Sequence, residues 1–195
     1  MLARFAKWIL NIRGWQIVGQ PPQVNHYVII GAPHTSNWDF YYFILLKFYF
    51  RLKVSFFGKR SIFFWPLGPL LVRLGGIPVD RSKSHNLVDA IVSEFQNSQQ
   101  LIVAIAPEGT RAYREYWKSG FYHIAVQADV PVQICFIDSA RQEVGFGPLI
   151  QLSGNIEQDL TKFKAFYQDK KGINPAFFGK IVFKSETNEF QSPCD

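Results

Sequence analysis

The sequence predicts an α/β domain: a mostly parallel central sheet flanked by helices, with an amphipathic helix at its N-terminus. Three observations carry that prediction. Short, almost wholly apolar runs such as "HYVIIGA" (26–32) and "LIVAIA" (101–106) read as strands covered on both faces, as parallel strands are. Between such runs lie longer stretches with helical spacing of apolar residues. The chain has 195 residues, one domain's length, enough to bury roughly 70% of the surface its unfolded form exposes without disulfide or metal staples.

In order, residues 2–14, "LARFAKWILNIRG", put Leu2, Phe5, Ala6, Ile9 and Ile12 on one helical face and Arg4, Lys7 and Asn11 on another. Such a helix suits a membrane interface, and it equally suits packing on its own domain. After "QPPQ" come the strand 26–32, a helix over 37–51, the strand "KVSFF", an irregular apolar stretch 62–74 and the short strand "GIPV". The helix "NLVDAIVSEFQNS" precedes "LIVAIA", and after a polar loop the helix "SGFYHIAVQAD" leads into the strand "VPVQICFID". Residues 145–152 hold one or two short strands, and "IEQDLTKFKAFY" closes the domain as a helix with Ile156, Leu160, Phe163 and Tyr167 on one face. The organisation expected is an interface segment 1–20, a domain 21–170 and a tail 171–195.

Composition narrows the partners. Twenty-one Lys and Arg against 15 Asp and Glu leave a formal charge of +6, which favours anionic partners. Nineteen Phe, eight Tyr and five Trp, many beside basic residues, point to a lipid interface rather than to nucleic acid. Lys47, Arg51 and Arg73 interrupt the apolar stretches before the ~20 residues a spanning helix needs, so the expectation is a peripheral protein on the cytoplasmic face of a membrane. Two cysteines, Cys135 and Cys194, build neither a disulfide framework nor a thiolate metal site, and His26, His85 and His123 lack ligand-spaced companions. No metal is expected.

Chemistry gathers where strands end and loops begin. In "GAPHTSNWDF" (31–40), His34 follows the first long strand and Asp39 lies five residues on. A carboxylate that orients an imidazole makes a general base near neutral pH. On one continuous helix that offset would separate the two by about 140°, so they meet only if His34 precedes the helix. Asp39 is also spaced from Ser36 as in a capping box, a purely structural role. "APEGTR" (106–111) supplies Glu108, the permissive Gly109, Thr110, and Arg111, whose planar fork suits phosphate. Pro-Glu-Gly is also ordinary turn chemistry. "GGIPVDR" (75–81) ends on Arg81, and "FFGKRSIF" adds Lys59.

Taken in order and spacing, "PHTSNWD", "GGIPVDR", "PEGTR" and "VPVQIC" make residues 26–136 resemble the lysophosphatidic acid acyltransferase family of glycerophospholipid acyltransferases. The resemblance implies transfer of a fatty acyl group from acyl-CoA or acyl carrier protein, as co-substrate, to a lysophospholipid hydroxyl, with 1-acylglycerol-3-phosphate the leading acceptor. It implies that His34 is the base, that Asp39 orients it, and that Arg111 with Arg81 grips the acceptor phosphate. Gly109 and Thr110 would shape that loop, Glu108 would bind or brace, and Lys59 would lie near the headgroup. No bound cofactor is expected. Pro33, Ala106 and Ala112 depart from the residues usual in the family. Alternatives are another acceptor, such as a lyso-ornithine lipid or lysophosphatidylethanolamine, or a non-catalytic module that binds anionic lipid.

Overall fold

Apolar side chains at every position of a strand require cover on both faces, and that requirement organises the molecule. The computed structural model describes residues 2–79 and 84–184. It contains α1 (Leu2–Ile12), β1 (Gln16–Val18), β2 (His26–Ala32), α2 (Asn37–Phe50), β3 (Val54–Lys59), α3 (Leu67–Arg73), β4 (Gly76–Val79), α4 (Ser84–Asn97), β5 (Leu101–Ile105), α5 (Gly120–Gln127), β6 (Val132–Asp138), β7 (Glu143–Ile150) and α6 (Ile156–Tyr167).

Among the described residues the strands form one seven-stranded sheet in the order β1-β7-β6-β2-β5-β3-β4. Every neighbouring pair is parallel except β6 and β7. β2 and β5 run side by side from His26↔Leu101 to Ile30↔Ile105, so the loops after both strands emerge at one rim. Two strands differ from expectation. β1 is three residues, too short for a period to register, and docks on β7; the stretch 145–152 holds the end of a single strand that begins at Glu143 and stops at Ile150.

Alternate residues of β2 feed two cores. Tyr27 and Ile29 face α1 and α2 together with Ala6, Leu10, Tyr42, Leu45 and Leu46. Val28 and Ile30 face the other layer, where Ile91, Phe95, Phe121, Leu160, Phe163 and Tyr167 come from α4, α5 and α6. Each fully buried Val, Leu, Ile or Phe among them contributes about 1.5–3 kcal/mol.

α1 divides its apolar residues between two environments. Ala6 and Leu10 are buried against α2, whereas Leu2, Phe5, Trp8 and Ile12 remain exposed. On α6 likewise, Leu160, Phe163 and Tyr167 are buried and Ile156 is exposed. α2 is apolar almost all round because it lies between α1 and the sheet. Its half-buried Lys47 donates to the carbonyls of Val54 (2.9 Å) and Leu74 (2.8 Å), pinning the end of α2 to β3 and α3; burial lowers the pKa of that amine. No described helix is long and apolar enough to cross a membrane.

Candidate active site

Pro33 has no N–H to continue the ladder, so β2 stops at Ala32 and the chain turns toward α2. Ser36 caps α2: its hydroxyl accepts from the backbone, and Asp39, three residues on, bonds back to the Ser36 N–H in a capping box. Oδ2 of Asp39 accepts from the N–H of Thr35 (2.6 Å) and of Ser36 (2.7 Å). The same oxygen stands 3.3 Å from Nδ1 of His34. Capping and imidazole orientation, competing readings of Asp39 in the sequence, are therefore performed by one atom. His34 precedes the helix, as the five-residue offset requires. Oδ1 of Asp39 is buried and makes no hydrogen bond.

The loop after β5 delivers Glu108 to the other side of His34. Glu108 is 2% exposed, and both of its oxygens accept the His34 N–H, at 2.8 and 3.1 Å. Burial pushes its carboxyl up to about 8, the His34 N–H opposing that shift and the nearby Asp39 charge adding to it. Glu108 thus contacts the histidine's backbone and is buried away from solvent.

The remaining sequence-predicted residues spread along the rim. Gly109 adopts φ +67°, a left-handed conformation that glycine tolerates, and the Lys118 side chain passes over it. Thr110 Oγ1 accepts from the Ala112 N–H at 3.3 Å, shaping the turn. Arg111 is exposed and donates to Oδ1 of Asn37, the first residue of α2, a partner the sequence did not suggest. Lys59, exposed at the end of β3, lies beyond β5 from His34 in the sheet order. Arg81 lies outside the described residues. Of the other histidines, His26 Nε2 bonds the Ser98 carbonyl at 3.0 Å, and the described residues contain no cluster of three or more His, Cys, Asp or Glu that could hold a metal.

From the dyad an apolar cavity of about 160 Å³ leads inward between the sheet and α2. His34 and Asp39 line it together with Phe40, Phe43, Phe56 and Cys135, and Gly31 and Ala104 widen it by bringing almost no side chain. A Cβ built on Gly31 would meet nothing within 4 Å. A glycine inside an otherwise bulky strand was the one sequence signal for this space.

Residues 14–138 match the family model described as Acyltransferase. The chain belongs to the acyltransferase family. Its fold is similar to that in the crystal structure of the 1-acyl-sn-glycerophosphate (LPA) acyltransferase, PlsC, from Thermotoga maritima. That similarity has a TM-score of 0.54 at 20% identity and covers 85% of this chain and 74% of that one. No curated protein matches the chain. The family match ends at the last residue of β6, so all of β7, α6 and the segment after it lie outside it.

Proposed function

We propose that this acyltransferase moves a fatty acyl group from an acyl thioester, acyl-CoA or acyl carrier protein, to the free hydroxyl of a lysophospholipid, with 1-acylglycerol-3-phosphate the leading acceptor. The carrying observation is that the His34–Asp39 pair forms one end of an apolar cavity, with Arg111 exposed on the neighbouring loop. An amphiphile with an alkyl chain and an anionic headgroup fits that combination.

His34 Nε2 takes the proton of the acceptor hydroxyl as its oxygen attacks the thioester carbonyl, while Asp39 holds Nδ1 and stabilises the imidazolium. The tetrahedral intermediate collapses by breaking the C–S bond, and the imidazolium returns the proton to the leaving thiolate. Ester and free thiol are the products, and no acyl-enzyme forms. The cavity holds the acyl chain, Arg111 grips the acceptor phosphate, and Glu108 positions rather than binds.

The enzyme works at an anionic membrane surface. Leu2, Phe5, Trp8 and Ile12 form one exposed apolar stripe; Phe64, Trp65 (83% exposed), Leu70 and Val72 form a second, on α3 and the segment leading into it from β3. From Phe40 to Val79 the sequence carries, besides the half-buried Lys47, the exposed Arg51, Lys53, Lys59, Arg60 and Arg73 and not one Asp or Glu. Apolar side chains flanked by unopposed cations suit an anionic bilayer.

Thiol release from acyl-CoA and acyl carrier protein, measured across a panel of lysolipids, tests the reaction. His34→Ala should lower turnover about 10²- to 10⁴-fold while the protein stays folded. Near-normal turnover in that variant refutes the mechanism, and lipid binding without thiol release from any donor would leave a non-catalytic lipid-binding module.

A further inference from the structure

After α6 the chain runs back to the catalytic loop, entirely outside the matched residues 14–138. It is fastened first to the end of β6. The Ser139 N–H donates to the Lys171 carbonyl and the Ser139 hydroxyl to the Gly172 carbonyl, both at 2.7 Å. Asn174 then clasps Thr35, a residue only 2% exposed. The Asn174 backbone N–H donates to Thr35 Oγ1 at 3.1 Å, and its side-chain Nδ2 donates to the Thr35 carbonyl at 2.9 Å. Gly172 passes so close that a Cβ there would fall 2.5 Å from Thr35 Oγ1 and 3.0 Å from Pro33 Cβ.

The peptide joining Thr35 to Ser36 is one rigid plane. Its carbonyl end accepts from Asn174. Its N–H end donates to Asp39 Oδ2 at 2.7 Å, the oxygen that stands 3.3 Å from His34 Nδ1. Hydrogen bonding at the carbonyl polarises the same peptide's N–H and strengthens what it donates. We propose that Asn174 is a positioning residue for acyl transfer. Acting through the Thr35–Ser36 peptide, it holds the Asp39 carboxylate in register with the His34 ring. Together with Glu108 on the His34 N–H, it clamps residues 34–36 from the β5 loop, from α2 and from the segment after α6. The inference rests on His34 and Asp39 being the catalytic pair.

Asn174→Ala and Asn174→Asp both remove the Nδ2 donor. The second is nearly isosteric and keeps the backbone bond to Thr35, so it carries the test if the first unfolds. Gly172→Ala leaves Asn174 in place and presses on Thr35. In folded protein each variant should lower kcat about tenfold, with the KM for donor and acceptor held within about twofold, because chemistry rather than binding is disturbed. At constant pH the NMR resonances of the His34 ring, assigned by their loss in His34→Ala, should shift in each variant, since the Asp39 carboxylate no longer sits in register with Nδ1.

Wild-type kcat in folded Asn174→Asp, unmoved His34 ring resonances, or a loss confined to KM overturns the proposal. So does unfolding of all three variants, which would make the clasp a stability element. If His34→Ala abolishes turnover while the Asn174 variants keep it, only this inference falls; if His34→Ala keeps turnover, the mechanism beneath it falls first.

Discussion

Glu108→Gln separates bracing from binding and has a magnitude worked from burial. The Glu108 carboxyl is pushed from 4.5 to about 8, so the folded protein holds a proton there that the unfolded chain releases. Between those two pH values the native state binds more protons than the unfolded state, so stability falls as pH rises through the window and levels above about 8. At about 1.4 kcal/mol per unit, the full loss is about 5 kcal/mol, a large part of a domain's total stability of roughly 5–15 kcal/mol. A glutamine keeps a carbonyl oxygen to accept the His34 N–H and cannot ionise. Urea unfolding of both proteins from pH 5 to 9 should therefore give similar stabilities at pH 5 and a glutamine variant more stable by several kcal/mol at pH 9. Its turnover should stay within a few-fold of wild type, whereas Glu108→Ala, which leaves the His34 N–H buried without an acceptor, should lose both stability and activity. Parallel pH curves for wild type and Glu108→Gln would refute the neutral, bracing role.

Gly31→Val places methyl groups in the open cavity, so the protein should keep its stability while donor preference moves to shorter acyl chains; an unchanged chain-length profile removes the cavity as the acyl site. Arg111→Lys keeps the charge and loses the fork, which should raise the acceptor KM about tenfold and leave the donor KM unchanged, as steady-state kinetics with both substrates varied will show. Co-sedimentation with vesicles should require anionic lipid, weaken as salt shortens the screening length below about 8 Å, and fall several-fold in Trp65→Ser/Leu70→Gln and in Phe5→Ser/Trp8→Ser. Equal binding to neutral vesicles at high salt would contradict that surface.

Local pattern carried much of the fold. The strands 26–32 and 101–105 announced themselves because a run apolar at nearly every position leaves no face suited to water. The helix 156–167 matches its periodic stretch residue for residue. β1 was invisible because three residues carry no period and its pairing partner lies more than a hundred residues away. α1 shows the limit of an amphipathic face: spacing groups Leu2, Phe5, Ala6, Ile9 and Ile12 together, but contact with α2 buries only the sector around Ala6 and Leu10.

At the site, the sequence by itself determined which chemistry-bearing side chains stand at strand ends, because residue type, order and spacing are local properties. His34, Asp39, Glu108 and Arg111 could all be picked out that way. Tertiary structure alone decided what each touches. Glu108 became a buried brace because β5 lies next to β2, which places its carboxyl under the His34 N–H and away from water. Asp39 became both cap and dyad partner because His34 sits on the loop that enters α2. Gly31 and Ala104 became cavity walls because they lie on the sheet face that α2 covers. Asn174 reached Thr35 across 139 residues of chain. No local pattern encodes such pairings, since each is set by strand order and by which loops one rim brings within hydrogen-bond distance.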